Sequence, residues 1–515
     1  MRLSHKIVFL VVINLSFGQL CAHAAGPHAK AGSPMNRMVV EVDPEAPLAD
    51  QLDSMFMIAK SEPVRARELL ERLLVDPRFA AQHKGVRHDA YSLSTWLALQ
   101  EGNYTRALAS ARQRKAADPD VREDWYPLAT LEYEAGNREA SVLAIIHLVR
   151  TWPVQEDVID TGLVSQLLYQ SELPAPARLG LLEALTQADW MQGRSQNSSL
   201  WYELTLMQLL AGRVGQARES AQHVDSPESI VKLRSDRQFD QLIDRNAPRF
   251  DVGLAAKNQV ETLQRLASAT PDSLQLRNEL NDAMLTAGMT QAALHHADLI
   301  LSEMAQMAEE DALFTDMDAK AWTMNNRAVA LRRLGRPEEA IQQLETASRL
   351  DEGGGANVSQ ILNLAQLYSS MGRPQQARAT MLRLGEALSP YGKMVKASTE
   401  HRIAVQTGDD AAAREAMQYL RKHRSTSHSL YLWALLETGQ LDQAAELLKV
   451  LLASPDDRSE ALGWAQHSIE IAPQAADVVP EANFKAVLAR PDVVAAIDKV
   501  GHVERYPIFV GYMNN

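Results

Sequence analysis

Apolar residues in this chain recur at spacings of three and four, in short stretches that each close on a glycine. The closing glycines are Gly102, Gly136, Gly212, Gly288, Gly335, Gly372, Gly408 and Gly439. Seven of them have alanine five residues on, at Ala107, Ala217, Ala293, Ala340, Ala377, Ala413 and Ala444, and after Gly136 that position holds Ser141. The pattern predicts two short helices per unit. A three-to-four spacing places each apolar set on one helical stripe. The glycine takes the left-handed conformation that ends the first helix, and the small residue after it lets the second helix return closely against the first. The glycines stand 31 to 47 residues apart, except for two gaps of 76. Each 76-residue gap has room for two units, so each hides one unit that lacks the glycine. A repeat of this length made of two helices predicts an all-α chain, an α-solenoid of antiparallel helix pairs. No run of alternating β-branched residues is long enough to read as a strand.

Other positions recur with the glycines. Trp125, Leu128 and Ala129 precede Gly136, and Pro153 closes the second helix. Ala328 and Leu331 precede Gly335, and Ala340, Leu344 and Ala347 follow it. Leu364, Ala365 and Tyr368 precede Gly372, and Ala377, Met381 and Leu384 follow it. Leu435 precedes Gly439, and Ala444, Leu448, Leu451 and Pro455 follow it. Trp201 and Leu204 stand before Gly212 as Trp125 and Leu128 stand before Gly136. In these positions the chain resembles the tetratricopeptide repeat family over about residues 50–470. The resemblance implies a superhelix whose first helices line a groove for a protein partner.

The period lapses at 154–190 and 225–265. Leu233 to Phe239 and Asn246-Ala247-Pro248 read as a terminating cap, and a similar texture returns at Phe484, Val487, Pro491, Val493, Val494 and Ile497. This predicts two lobes, 48–250 and 251–500, joined near Arg249–Ala256; one continuous superhelix with an irregular middle is the alternative. The first lobe opens on an incomplete repeat whose second helix starts at Ser61-Glu62-Pro63. The tail, 501–515, carries the apolar, non-helical stretch Tyr506–Met513, expected to fold back over the last helices, with an exposed docking strand as the other reading.

Composition narrows the setting. Arg2 and Lys6, a mainly apolar run from Ile7 to Leu20 and Ala22-His23-Ala24 form a cleavable export signal over 1–24. A flexible leader rich in Gly, Pro, Ala and His follows at 25–47. The single cysteine, Cys21, lies inside the signal, so the mature chain is expected to have no disulfide, thiolate metal site or cysteine nucleophile. The net charge of −13 disfavours nonspecific nucleic-acid binding. No later apolar run has membrane-spanning length. The expected location is the periplasm, with peripheral outer-membrane association open.

No catalytic, cofactor or metal constellation stands out. His295-His296 point apart on one helix, and His83, His88, His423 and His428 have nothing obvious to complete a site. Asp351-Glu352-Gly353-Gly354-Gly355 lacks the Gly-Lys-Ser/Thr ending of a phosphate loop, and Asp409-Asp410 read as a capped helix start. The groove implied by the resemblance supplies the candidates: Trp322, Asn325, Asn326 and Arg333 before Gly335, Asn363 and Gln366 before Gly372, and Arg402 before Gly408. Asn326 and Asn363 sit at equal offsets, so stacked amides could hold an extended peptide; solvated polar residues are the plainer reading. The expectation is a non-enzymatic scaffold for envelope proteins. The alternative is a role in exopolysaccharide export beside an outer-membrane pore, with Trp125, Trp201 and Trp322 as sugar platforms.

Overall fold

The computed structural model describes residues 42–152, 159–170, 173–306, 314–351, 355–385 and 388–509. The export signal, most of the leader, Pro153, Glu352–Gly354 and Val510–Met513 lie outside them. Twenty-five α-helices account for most of the described chain, and only two isolated β-bridges occur among the described residues. The protein is an all-α solenoid of helix pairs.

Every one of the eight pattern glycines ends a first helix. Their φ angles run from 67° to 84°. The residue after each donates its backbone N–H to the carbonyl five positions earlier, at 2.8–2.9 Å, as in Asn103 to Ala98 and Arg373 to Tyr368. The small residue five positions on is fully buried in seven of the eight units; Ala413 is half-buried. A side chain on Gly372 would meet open space, so backbone strain is its only obstacle. Gly372→Ala is expected to cost about 1–2 kcal/mol in urea unfolding, and an unchanged midpoint would show that this turn tolerates another conformation.

The chain divides into two compact units, one ending at Met191 and the other beginning at Gln192. The first unit holds α1 (Leu48–Ile58), α2 (Pro63–Leu74), α3 (Lys84–Gln100), α4 (Tyr104–Ala117), α5 (Trp125–Glu134), α6 (Arg138–Thr151), α7 (Thr161–Ser165) and α8 (Ala175–Gln187). Its opening repeat is a full pair, because Leu48, Leu52, Met55 and Phe56 of α1 pack on Ala66, Leu70 and Leu73 of α2. The hidden unit of the first 76-residue gap is α7 with α8. In the turn before the next pair Asp189, Met191 and Gly193 all take positive φ.

Histidines in this unit serve structure. His83 caps α3 by accepting from the Gly85 N–H at 3.2 Å. His147 stacks on Trp125 at 3.7 Å, and Trp125 is 8% exposed. His88 Nε2 lies 2.8 Å from Asp124 Oδ2, and Arg114 holds the other oxygen at 2.9 Å. Burial would lower the His88 pKa, but hydrogen bonds to Asp124 and Asp89 outweigh it and raise the group from 6.5 to about 9. The sign follows from linkage: stabilisation is complete below pH 6.5 and is lost as pH rises through 9. The first unit is expected to lose on the order of 3 kcal/mol across that window. His88→Gln should flatten the slope; an unaltered pH profile in the variant would place the titration elsewhere.

The second unit begins with α9 (Ser195–Leu210), α10 (Val214–Ala221), α11 (Pro227–Ser235) and α12 (Val252–Ala269). Four glycine-turned pairs follow: α13 (Leu274–Thr286) with α14 (Thr290–Ala305), α15 (Lys320–Arg333) with α16 (Pro337–Ala347), α17 (Val358–Ser370) with α18 (Pro374–Met381), and α19 (Pro390–Thr407) with α20 (Asp410–Lys422). Asp409 caps α20 through the Ala412 N–H at 3.1 Å, as expected. The unit ends with α21 (His428–Glu437), α22 (Leu441–Ala453), α23 (Arg458–Trp464), α24 (Val478–Leu488) and α25 (Pro491–Val500).

The stretch Arg249–Ala256, read from the sequence as a joint, lies inside this unit. Leu233, Phe239, Leu242, Ile243 and Phe250 are buried in one core with Tyr506 and Ile508. The last described segment therefore does fold back, but onto the start of the unit. Gly501 bridges to Asp236, the His502 N–H donates to Ser235 O at 2.8 Å, and Arg505 bridges to His467. Glu504 accepts from Arg234 Nε at 2.9 Å, from Arg245 and from the Tyr506 hydroxyl at 2.7 Å. Although burial opposes it, these donors hold the Glu504 carboxyl down to about 2.

Candidate functional site: the layer of first helices

Within the second unit the first helices α13, α15, α17, α19 and α21 lie side by side, and side chains tie each to the one before. Asn326 Nδ2 donates to Asn278 O at 3.3 Å, and Arg333 donates to Leu285 O at 2.8 Å, joining α15 to α13. Asn363 Nδ2 donates to Asn325 Oδ1 at 2.9 Å, joining α17 to α15. Gln406 Nε2 donates to Ser369 O at 2.7 Å and Arg402 Nη1 to Ser370 Oγ at 2.6 Å, joining α19 to α17. The backbone carbonyls of Asn278, Leu285 and Ser369 thereby find donors between packed helices.

The seven sequence candidates separate into two groups. Trp322 is 46% exposed. Asn325, Asn363 and Gln366 are half-buried, and Asn325 pairs with Asn363. These four form the accessible polar strip. Asn326, by contrast, is 4% exposed and turned toward α13, so the equal offset of Asn326 and Asn363 does not make them partners. The Arg333 guanidinium lies 4.2 Å from the Phe509 ring centroid. Arg402 is ion-paired to Glu437 and, at 3.0 Å, to Asp477.

Three further residues belong to this face. Asp282 on α13 stands six residues before its glycine, as Gln366 and Arg402 do, and that offset was a signal available in the sequence. It keeps exposed surface. Yet burial, with Glu279 beside it, pushes its carboxyl up to about 7 against Asn326 and Arg333. Glu279 itself accepts from Arg194 Nε at 2.7 Å. Asp477 and Arg332 are electrostatic partners whose approach no local pattern announces, since α24 lies far along the chain. Of the other tryptophans proposed as platforms, Trp201 stacks on His223 at 4.2 Å, as Trp125 does on His147.

Residues 323–353, which cover most of α15 and all of α16, match the tetratricopeptide repeat family model. No curated protein matches the sequence. Among solved structures, the chain is similar to one in the Naa15/Naa10 complex bound to HypK-THB, at 12% identity over 88% of this chain and 74% of that one, with a TM-score of 0.25. It is also similar to one in the APC/C hetero-tetramer Cut9-Hcn1, at 10% identity over 88% and 89%, with a TM-score of 0.29. Residues 323–353 are a tetratricopeptide repeat, set in an all-α solenoid of helix pairs.

Proposed function

We propose that the chain is an exported, non-enzymatic scaffold of the bacterial periplasm that binds a protein partner in envelope assembly or secretion. The repeat at 323–353 and the helix-pair solenoid suit protein interaction. The observation that carries the reading is the accessible strip of Trp322, Asn325, Asn363 and Gln366 on adjacent first helices. An aromatic face beside paired amides offers an extended peptide both packing and main-chain hydrogen bonds. The N-terminal segment supports the location. Among the described residues no helix is long and apolar enough to cross a membrane.

The polysaccharide reading keeps Trp322 as its exposed platform, because Trp125 and Trp201 are stacked on histidines. Photocrosslinking in intact cells separates the readings. Photoreactive residues at Trp322 and Asn363 are expected to capture one dominant envelope protein that Gln375, exposed on α18, does not capture. Capture no stronger than at Gln375 would remove the first-helix face as the partner site.

A further inference from the structure

Between α23 and α24 the chain passes the first-helix face in a non-helical stretch that ends in a turn at 475–477. Ile469 meets the α13–α14 turn so closely that a Cβ on Gly288 would lie 2.6 Å from its Cδ1. The Ala476 N–H donates to Ser370 O at the end of α17, at 2.9 Å. Asp477 pairs with Arg402 on α19 at 3.0 Å and feels the charge of Arg332 on α15. One short segment thus touches α17, α19 and the turn after α13, and lies in the field of Arg332 on α15. Its start is paired with the tail: the Ile469 N–H donates to Ile508 O and the Tyr506 N–H to His467 O, both at 2.9 Å. From there to Ala476 little holds it. Among the described residues, the backbone N–H groups of 470–475 donate no bond to another carbonyl. Glu470, Ala472, Pro473 and Ala475 are exposed. Few bonds and high exposure mark the segments that open first in a folded protein.

We propose that residues 467–477 are a displaceable occupant of the first-helix face, and that the partner replacing them is an extended protein segment bearing a carboxylate for Arg402 and Arg332. The proposal rests on the reading of this face as the partner site. The chain itself displays what the face accepts: a main-chain N–H for the Ser370 carbonyl, an aliphatic side chain beside Gly288, and an acid at the arginines. Tethered at both ends, the segment competes at an effective concentration on the order of millimolar. A free segment of equal quality therefore enters poorly until the tethered one is weakened. Asp477→Asn weakens it while leaving Arg402 paired to Glu437.

Hydrogen exchange on the full chain gives the first readout. The amides of Ile471 and Ala476 are expected to exchange at least ~100-fold faster than those of Leu432 and Leu435 in α21. Asp477→Asn should speed them further and leave α21 unchanged. A fluorescein-labelled synthetic peptide with the sequence of residues 467–477 should then bind the Asp477→Asn chain at least ~10-fold more tightly than the wild type. The same peptide carrying Asp477→Asn should not bind. Wild-type exchange at Ala476 as slow as in α21 would overturn the proposal, and so would equal binding of the two peptides or binding of neither. If the variant fails to fold, wild-type exchange decides alone. These readouts need no cellular partner, so their failure is distinct from a failure of the crosslinking experiment.

Discussion

Replacing Arg402 with methionine is expected to cost the second unit about 3–5 kcal/mol, the largest loss for a single side chain on the first-helix face. Arg402 donates to Glu437 and to Ser370 Oγ at 2.6 Å, forms an ion pair with Asp477 Oδ1 at 3.0 Å, and its guanidinium lies 5.6 Å from the Trp433 ring centroid. His401 adds a 2.9 Å contact to the second Glu437 oxygen. All three charged side chains of the cluster are buried. Burial pushes the Asp477 carboxyl up, while Arg402 and Arg332 hold it down. Without Arg402, Glu437 is left with the His401 contact and Asp477 with the charge of Arg332, in a place where water cannot solvate them. Arg402→Lys should recover part of the loss, since it restores the charge but not the planar fork that serves three acceptors. Urea unfolding followed by circular dichroism measures both variants. A loss below about 1 kcal/mol would mean that water reaches the cluster.

Gly501→Ala carries the second large effect, about 2–3 kcal/mol. Gly501 follows α25 at the point where the tail pairs with Asp236. A methyl group there would lie 2.2 Å from Leu462 Cδ2 and 2.8 Å from the Ser235 carbonyl oxygen. The leucine could turn away, but the carbonyl is backbone and accepts the 2.8 Å bond from His502. Relief of the clash therefore moves the tail off α11. The backbone at Gly501 is extended, with φ −140°, so the cost comes from contact alone. Thermal unfolding reads it, and Glu504→Gln, which weakens the clamp of Arg234 and Arg245 on the same tail, should shift the midpoint in the same direction. A Gly501→Ala protein with wild-type stability would show that α11 and α23 move apart at little cost.

The repeat architecture was legible because one turn recurs. A glycine, an alanine five residues later and an apolar stripe on either side describe a local object, and each of the eight glycines lies where that object requires it. The histidine partners of Trp125 and Trp201 were legible in principle, since each lies eleven residues after its glycine as the tryptophan lies eleven before. What local pattern could not supply was the destination of the tail. Tyr506 and Ile508 are buried against Phe239 and Phe250, and Glu504 is held by Arg234 and Arg245, more than 250 residues away. For the same reason the cap-like texture of Leu233 to Phe239 and Asn246-Ala247-Pro248 suggested an end, where the structure places the tail's landing surface. Offsets within the repeat likewise placed Asn326 beside Asn363. The rotation of one helix against the next decides instead that Asn325 meets Asn363 and Asn326 meets α13.

The return of Gly501–Ile508 to α11 changes how the second unit can grow and melt. An open solenoid couples each repeat only to its neighbours, so it frays from its ends and tolerates added or deleted copies. Here the terminal pieces are one another's neighbours, which leaves no loose end from which melting can start. Residues 192–509 should therefore lose structure in a single step. The number of helix pairs is also set by geometry: an extra pair between α13 and α22 would carry the tail away from Ser235 and the two arginines that receive it. Duplication, the usual route by which repeat proteins lengthen, is closed to this half of the chain unless the clasp is lost first.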